Sequence, residues 1–150
     1  MSVIHVNEKT IFGLVARTNN ENEMNPQLGK IAALVKNFDA SVSVNYRSGA
    51  RVYTVYSEYE SDASGNYSVL VGTNKVESST VELESVKIHE GSYLVFSAKG
   101  EVPNIVFETW SKIWNYFENE KCPHIRAYST DFEFYKSQNE IEVHIAIKYT

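Results

Sequence analysis

Hydrophobic positions along this chain switch twice from strand-like to helix-like spacing and back. Phe12-Gly13-Leu14-Val15-Ala16-Arg17 is an apolar strand-like stretch. Residues 27–38 then carry Leu28, Ile31, Leu34, Val35 and Phe38 in one stripe, which predicts an amphipathic helix. Proline suits a first helical turn, so this helix is expected to begin near Pro26 with Asn25 as its N-cap. Residues 51–60 and 67–73 read as two strands, and the turn formers at 61–66 predict a hairpin between them.

The pattern restarts near position 93. Residues 93–98 read as a strand and 104–117 as a helix, with Val106, Phe107, Trp110, Ile113, Trp114 and Phe117 on a wide apolar stripe. Residues 127–136 and 141–149 read as strands joined by a turn at Ser137-Gln138-Asn139. In the last strand Ile141, Val143, Ile145, Ile147 and Tyr149 face one way, while Glu142, His144 and Lys148 face the other. That alternation predicts an antiparallel sheet with one covered face. Residues 80–89 read as a strand joining the halves, and 18–25 and 74–80 as loops.

The two halves superpose at one offset: Tyr53 maps to Tyr128 (128 − 53 = 75) and Glu58 to Glu133 (133 − 58 = 75). The expected fold is therefore α+β: a duplicated β-α-β-β unit forming a pseudo-twofold antiparallel sheet, two main helices on one face, and a groove between the halves. Half one covers about 10–75 and half two about 90–150. A length of 150 residues predicts a single domain over 1–150, one able to bury roughly 70% of its unfolded surface without metal or disulfide.

Composition narrows the function. A net charge of −5 argues against a nucleic-acid-binding surface, which needs Lys and Arg against phosphate. The single Cys122 excludes an intramolecular disulfide and fits a reducing cytoplasm. The first ten residues hold no apolar signal segment, and no run approaches a membrane span, so no membrane partner is expected. The histidines at 5, 89, 124 and 144 have no ligand spacing, so neither metal nor cofactor is expected. Phosphate-loop and nucleophile-elbow motifs are absent.

The candidate chemistry lies in carboxylates and aromatics. Glu133 sits in Thr130-Asp131-Phe132-Glu133-Phe134-Tyr135. A carboxylate among aromatic rings can hold a cation, each ring face adding about 0.5–2 kcal/mol. If Phe132 and Phe134 face the core, Asp131, Glu133 and Tyr135 face the other way, into either solvent or a pocket. Glu58 in the first half has the same two options. Trp110 and Trp114 are neighbours on one helical face, placed to pack under the helix or to edge into the groove. Tyr53 and Tyr128 occupy related positions that flank a pseudo-twofold site, and Phe96 on the strand opening half two completes the ligand-binding set. The first helix offers only aliphatics and Phe38, so the second half is expected to supply most of the binding chemistry.

These motifs together resemble the GyrI-like domain, the effector-binding domain of AraC-type and MerR-type bacterial regulators. The likeness is carried by 55–62, by 65–73, by Ile88 with Glu90-Gly91-Ser92-Tyr93, by Trp110-Ser111-Lys112-Ile113-Trp114, and by 130–135 with 143–147. It covers the chain from about Phe12 to the C-terminus. The resemblance implies a duplicated β-α-β-β fold with an aromatic pocket between the halves that takes amphipathic, often cationic compounds. It also implies a buried counter-charge at the position matching Glu133. The regulators carry a helix-turn-helix domain before this module, whereas here the module begins almost at residue 1. A stand-alone ligand binder without direct DNA contact is therefore expected, acting by sequestration or through a protein partner. The alternatives are a small-molecule hydrolase using Glu133 with a tyrosine, and a protein-inhibitor role.

Overall fold

The computed structural model describes residues 2–148. Eight antiparallel strands form one continuous path: β1 (Ser2–Val6), β8 (Gly91–Lys99), β11 (Glu140–Lys148), β10 (Asp131–Ser137), β4 (Val52–Ser57), β5 (Tyr67–Thr73), β2 (Lys9–Thr18) and β7 (Glu84–Ile88), while β9 (Ile125–Arg126) pairs with β11. A separate ribbon joins β3 (Val42–Val44) to β6 (Val76–Ser79), and β6 lies in the stretch 74–80 whose polarity suggested a loop. The helices are α1 (Asn20–Glu23), α2 (Ile31–Ser41) and α3 (Asn104–Glu118). None of them is long and apolar enough to cross a membrane. Tyr149, which the alternation put on the apolar side of the last strand, lies outside the described residues.

The order around the centre is symmetric. β4 meets β10, and β5, β2 and β7 on one side mirror β11, β8 and β1 on the other. Each leading strand crosses over: β1 precedes β2 but pairs with β8, and β7 precedes β8 but pairs with β2. The repeat is thus one strand longer than the β-α-β-β reading, and the exchange ties the halves together at both edges. Gly13 and Gly72 pair in the β2–β5 ladder, where a Cβ on either would stand within 2.2 Å of a carbonyl oxygen of the facing strand.

The expectation of one covered face is corrected for the central strands. Every residue of β5 is buried, as are Tyr53–Ser57 of β4. One face carries a core drawn from strands, with Ile11, Tyr53, Val55, Leu70, Ile88, Tyr93 and Phe132. The other face carries both main helices, Leu34 and Phe38 of α2 over Val69 and Val71, and Ile105 and Ile113 of α3 over Val143 and Ile145. His144 is buried on the helix-free face, its ring stacked 4.3 Å from that of Phe132.

The first helix starts later than its sequence signals indicate. Asn25 does cap, but it caps a single turn: its side chain accepts from Gln27 N–H, and its carbonyl from Leu28 and Gly29 N–H. The helix proper begins at Ile31, where the carboxylate of Glu23 takes the exposed N–H groups of Lys30 and Ile31 in place of a local cap.

Candidate functional site

The site is set by the register of the central pair. Thr54 stands opposite Glu133, Tyr56 opposite Asp131 and Val52 opposite Tyr135, so these six side chains share the helix-bearing face. Between that face and the two helices lies a cavity of about 1450 Å³. Its floor includes Val52, Thr54, Tyr56, Glu133 and Tyr135. Ile31, Ala32 and Val35 of α2 form one wall, and Val106, Phe107, Trp110 and Trp114 of α3 form the other.

Glu133 is 2% exposed and receives three hydrogen bonds from three elements. Its Oε2 accepts from the Tyr56 hydroxyl at 2.7 Å and from Trp110 Nε1–H at 2.7 Å. Its Oε1 accepts from the Tyr135 hydroxyl at 2.6 Å. Each donor follows from local geometry. Tyr135 is two residues along the same strand, hence on the same face. Tyr56 is the diagonal neighbour across the ladder, within reach of a long aromatic side chain. Trp110 descends from α3.

Burial, reinforced by the Glu133 charge, pushes the Tyr56 and Tyr135 phenols well above their usual pKa, so both remain donors. No Lys, Arg or His nitrogen lies within 4.0 Å of the Glu133 carboxylate among the described residues. The buried charge is held by neutral dipoles alone.

The tryptophans sit on the edge of the helix rather than under it. Ile105, Thr109 and Ile113 are the buried residues of α3, whereas Trp110 and Trp114 are half-buried and face the cavity. Their rings lie 6.1 Å apart, and Trp110 meets Tyr56 edge-on at 5.3 Å. Phe107, on the same helix, is 63% exposed at the cavity.

The other three expected residues are placed elsewhere. Tyr53 is one position out of phase with Tyr56, so it points into the helix-free core, 5.1 Å from the ring of Phe134. Tyr128 takes a left-handed backbone (φ 52), and the strand expected over 127–136 begins only at Asp131 as β10, with β9 lying before it. Its ring carries the Arg126 guanidinium at 4.4 Å. Phe96 packs edge-on against Tyr116 between β8 and α3, apart from the cavity lining. Glu58 does not share the surroundings of Glu133. It is exposed at φ 50 just past the end of β4, accepting from the Ser68 hydroxyl.

The first half contributes more than its aliphatic helix suggested. Tyr56, Tyr59, Tyr67 and Glu23 all line the cavity. The signal for Tyr135 was its two-residue spacing from Glu133. For Tyr56 there was none, because the β4–β10 register depends on the joining of the halves.

The same face carries a buried ion pair at the edge of the cavity. Arg126 Nη2 donates to Asp131 Oδ2 at 2.7 Å, and the same oxygen accepts from the Tyr59 hydroxyl. Asp131 Oδ1 accepts from Ala146 N–H at 2.9 Å. Among the described residues, no group of three or more His, Cys, Asp or Glu is placed to hold a metal ion.

The chain is similar to YobU of Bacillus subtilis (strain 168), a protein named provisionally as a transcriptional regulator, with 29% identity over 97% of this chain and 96% of that protein. Among solved structures it is similar to the integron cassette protein VCH_CASS2 of Vibrio cholerae, with 37% identity, a TM-score of 0.88, and coverage of 98% of this chain and 95% of that one. SAV2435, solved bound to tetraphenylphosphonium, shares the fold at 14% identity with a TM-score of 0.65, over 98% of this chain and 93% of that one. These likenesses agree with the effector-binding resemblance read from the motifs, a class of fold related to the ligand-binding domains of transcription regulators. Matched over residues 2–147 by the family described as Cass2, integron-associated effector binding protein, the chain belongs to that family.

Proposed function

We propose that this protein binds amphipathic organic cations in the cavity between α2 and α3, with Glu133 as counter-charge and Tyr56, Trp110 and Trp114 as aromatic wall. The observation that carries this reading is the bonding of Glu133, a buried carboxylate with three neutral donors and no cationic side chain beside it among the described residues. Burying a charge is costly unless it is compensated. The donors replace lost water, and a cationic ligand supplies the missing opposite charge, strengthened by the low dielectric of the cavity. Ring faces add their own attraction. The tetraphenylphosphonium held by SAV2435, a fold relative, is a ligand of this chemical class.

We read Glu133 as a counter-ion rather than a catalytic base. Three of the roughly four acceptor sites of a carboxylate are filled by protein donors. The two nearest phenols are held protonated. The biological role consistent with family and site is effector sensing or sequestration in the cytoplasm, coupled to regulation through a protein partner. Titration of tryptophan fluorescence with tetraphenylphosphonium, in wild type and Glu133→Gln, tests the reading: micromolar binding that the substitution abolishes supports it, and unchanged affinity contradicts it.

A further inference from the structure

Glu133 has a counterpart in the same cavity. Glu23, the last residue of α1, also lines it. Its Oε2 accepts from the Thr18 hydroxyl at 2.6 Å and from Lys30 N–H at 2.8 Å, and its Oε1 accepts from Ile31 N–H at 3.1 Å. Like Glu133, it has three neutral donors and no Lys, Arg or His nitrogen within 4.0 Å among the described residues. The bonds cap α2, and a helix N-terminus favours a negative charge there. The helix end offsets part of that charge, and no basic side chain among the described residues offsets the rest. Tyr67 lines the same cavity as both carboxylates, and burial first, then the charges of Glu23 and Glu133, push its phenol up.

Two of the basic side chains that line the cavity are paired with other carboxylates. Arg126 pairs with Asp131 at 2.7 Å and Lys136 with Glu140 at 3.4 Å. Glu133 and Glu23 are thus two cavity carboxylates without a basic side chain within 4.0 Å among the described residues. Its volume of about 1450 Å³ also exceeds the roughly 300–1,000 Å³ that suits one drug-sized ligand.

Building on the counter-ion reading of Glu133, we infer that Glu23 is a second counter-ion and that the cavity accepts dications, molecules with two permanent positive centres joined by an apolar spacer. Once one centre sits on Glu133, the second contact is intramolecular, so a spacer of matching length gains affinity without any new type of contact.

The test compares bis(trimethylammonium)alkanes of six, eight and ten methylenes with alkyltrimethylammonium ions of equal chain length, by titration calorimetry on the full chain. In wild type at least one dication should bind about tenfold tighter than its mono-cation, a gain of about 1.4 kcal/mol. Glu23→Gln should cut that advantage to about the twofold expected from having two equivalent ends, with mono-cation affinity in the same variant as the reference. Thr18→Val removes one donor but keeps the charge, so it should keep the advantage. Loss of the advantage in Thr18→Val as complete as in Glu23→Gln would assign the effect to helix capping and overturn the proposal. An advantage that survives Glu23→Gln would also overturn it. If mono-cations bind through Glu133 and no spacer length gains affinity, the dication proposal alone fails. If mono-cations do not bind, or Glu133→Gln changes neither ligand, the counter-ion reading fails and takes the proposal with it.

Discussion

The indole N–H of Trp110 donates to Glu133 Oε2 at 2.7 Å, linking α3 directly to the sheet strand β10. The same tryptophan meets Tyr56 edge-on, and Tyr56 donates to the same oxygen. One carboxylate oxygen therefore orients two of the aromatic rings that line the cavity. The charge and the wall are parts of one hydrogen-bonded unit, so altering a donor should affect both folding and binding.

Trp110→Phe keeps an aromatic ring but removes one donor from a buried carboxylate. Hydrogen bonds to charged groups contribute about 1.5–3 kcal/mol, so urea unfolding should show a loss of that size. Tyr135→Phe should cost a similar amount. Tyr53→Phe touches no Glu133 bond and should cost less than either, although Tyr53 is more buried than both.

The Arg126–Asp131 pair makes a stronger demand. Arg126→Met leaves Asp131 charged, fully buried and still facing Ala146 N–H and the Tyr59 hydroxyl. Removing one partner of a buried pair costs about 3–5 kcal/mol. The double variant Arg126→Met with Asp131→Asn should recover part of that loss, because no uncompensated charge remains. A double-mutant cycle by denaturant unfolding measures the recovery.

His144 predicts how stability depends on pH. Burial, aided by the charge of Lys9, pushes its imidazole from 6.5 down to about 4. The unfolded chain therefore binds a proton that the folded chain refuses between those values. Its contribution is fully present above pH 6.5, declines as pH falls toward 4, and levels off below, a change of about 3 kcal/mol. His144→Phe keeps the stack on Phe132 and should flatten this part of the wild-type profile, read as the difference between the two unfolding curves.

Much of the fold was legible because it is local. The two hairpins, the second helix and the repeat follow from spacing and turn chemistry. β1 was not read as a strand, since its place beside β8 is set by an exchange of leading strands between halves. At the site, the alternation grouped Asp131, Glu133 and Tyr135 correctly but left open whether their face meets solvent. It could not separate Tyr53 from Tyr56 either, because both faces of β4 are covered and both tyrosines are buried. The apolar stripe of α3 is wide enough to have two edges, and only packing decides that Ile105 and Ile113 anchor the helix while the tryptophans turn to the cavity. Tyr128 gave no warning of its left-handed backbone, which residues other than glycine seldom adopt.

The central claim is that Glu133 selects ligands by charge. Tetraphenylphosphonium and tetraphenylborate have nearly the same shape and opposite charge, so they isolate that selection. Measured by quenching of Trp110 and Trp114 fluorescence, the wild type should bind the phosphonium at least about a hundredfold tighter than the borate, a difference of about 2.7 kcal/mol. Glu133→Gln should shrink that gap to a few-fold by weakening the phosphonium alone. Equal binding of the two ions by the wild type, or a gap that persists in Glu133→Gln, would contradict the account.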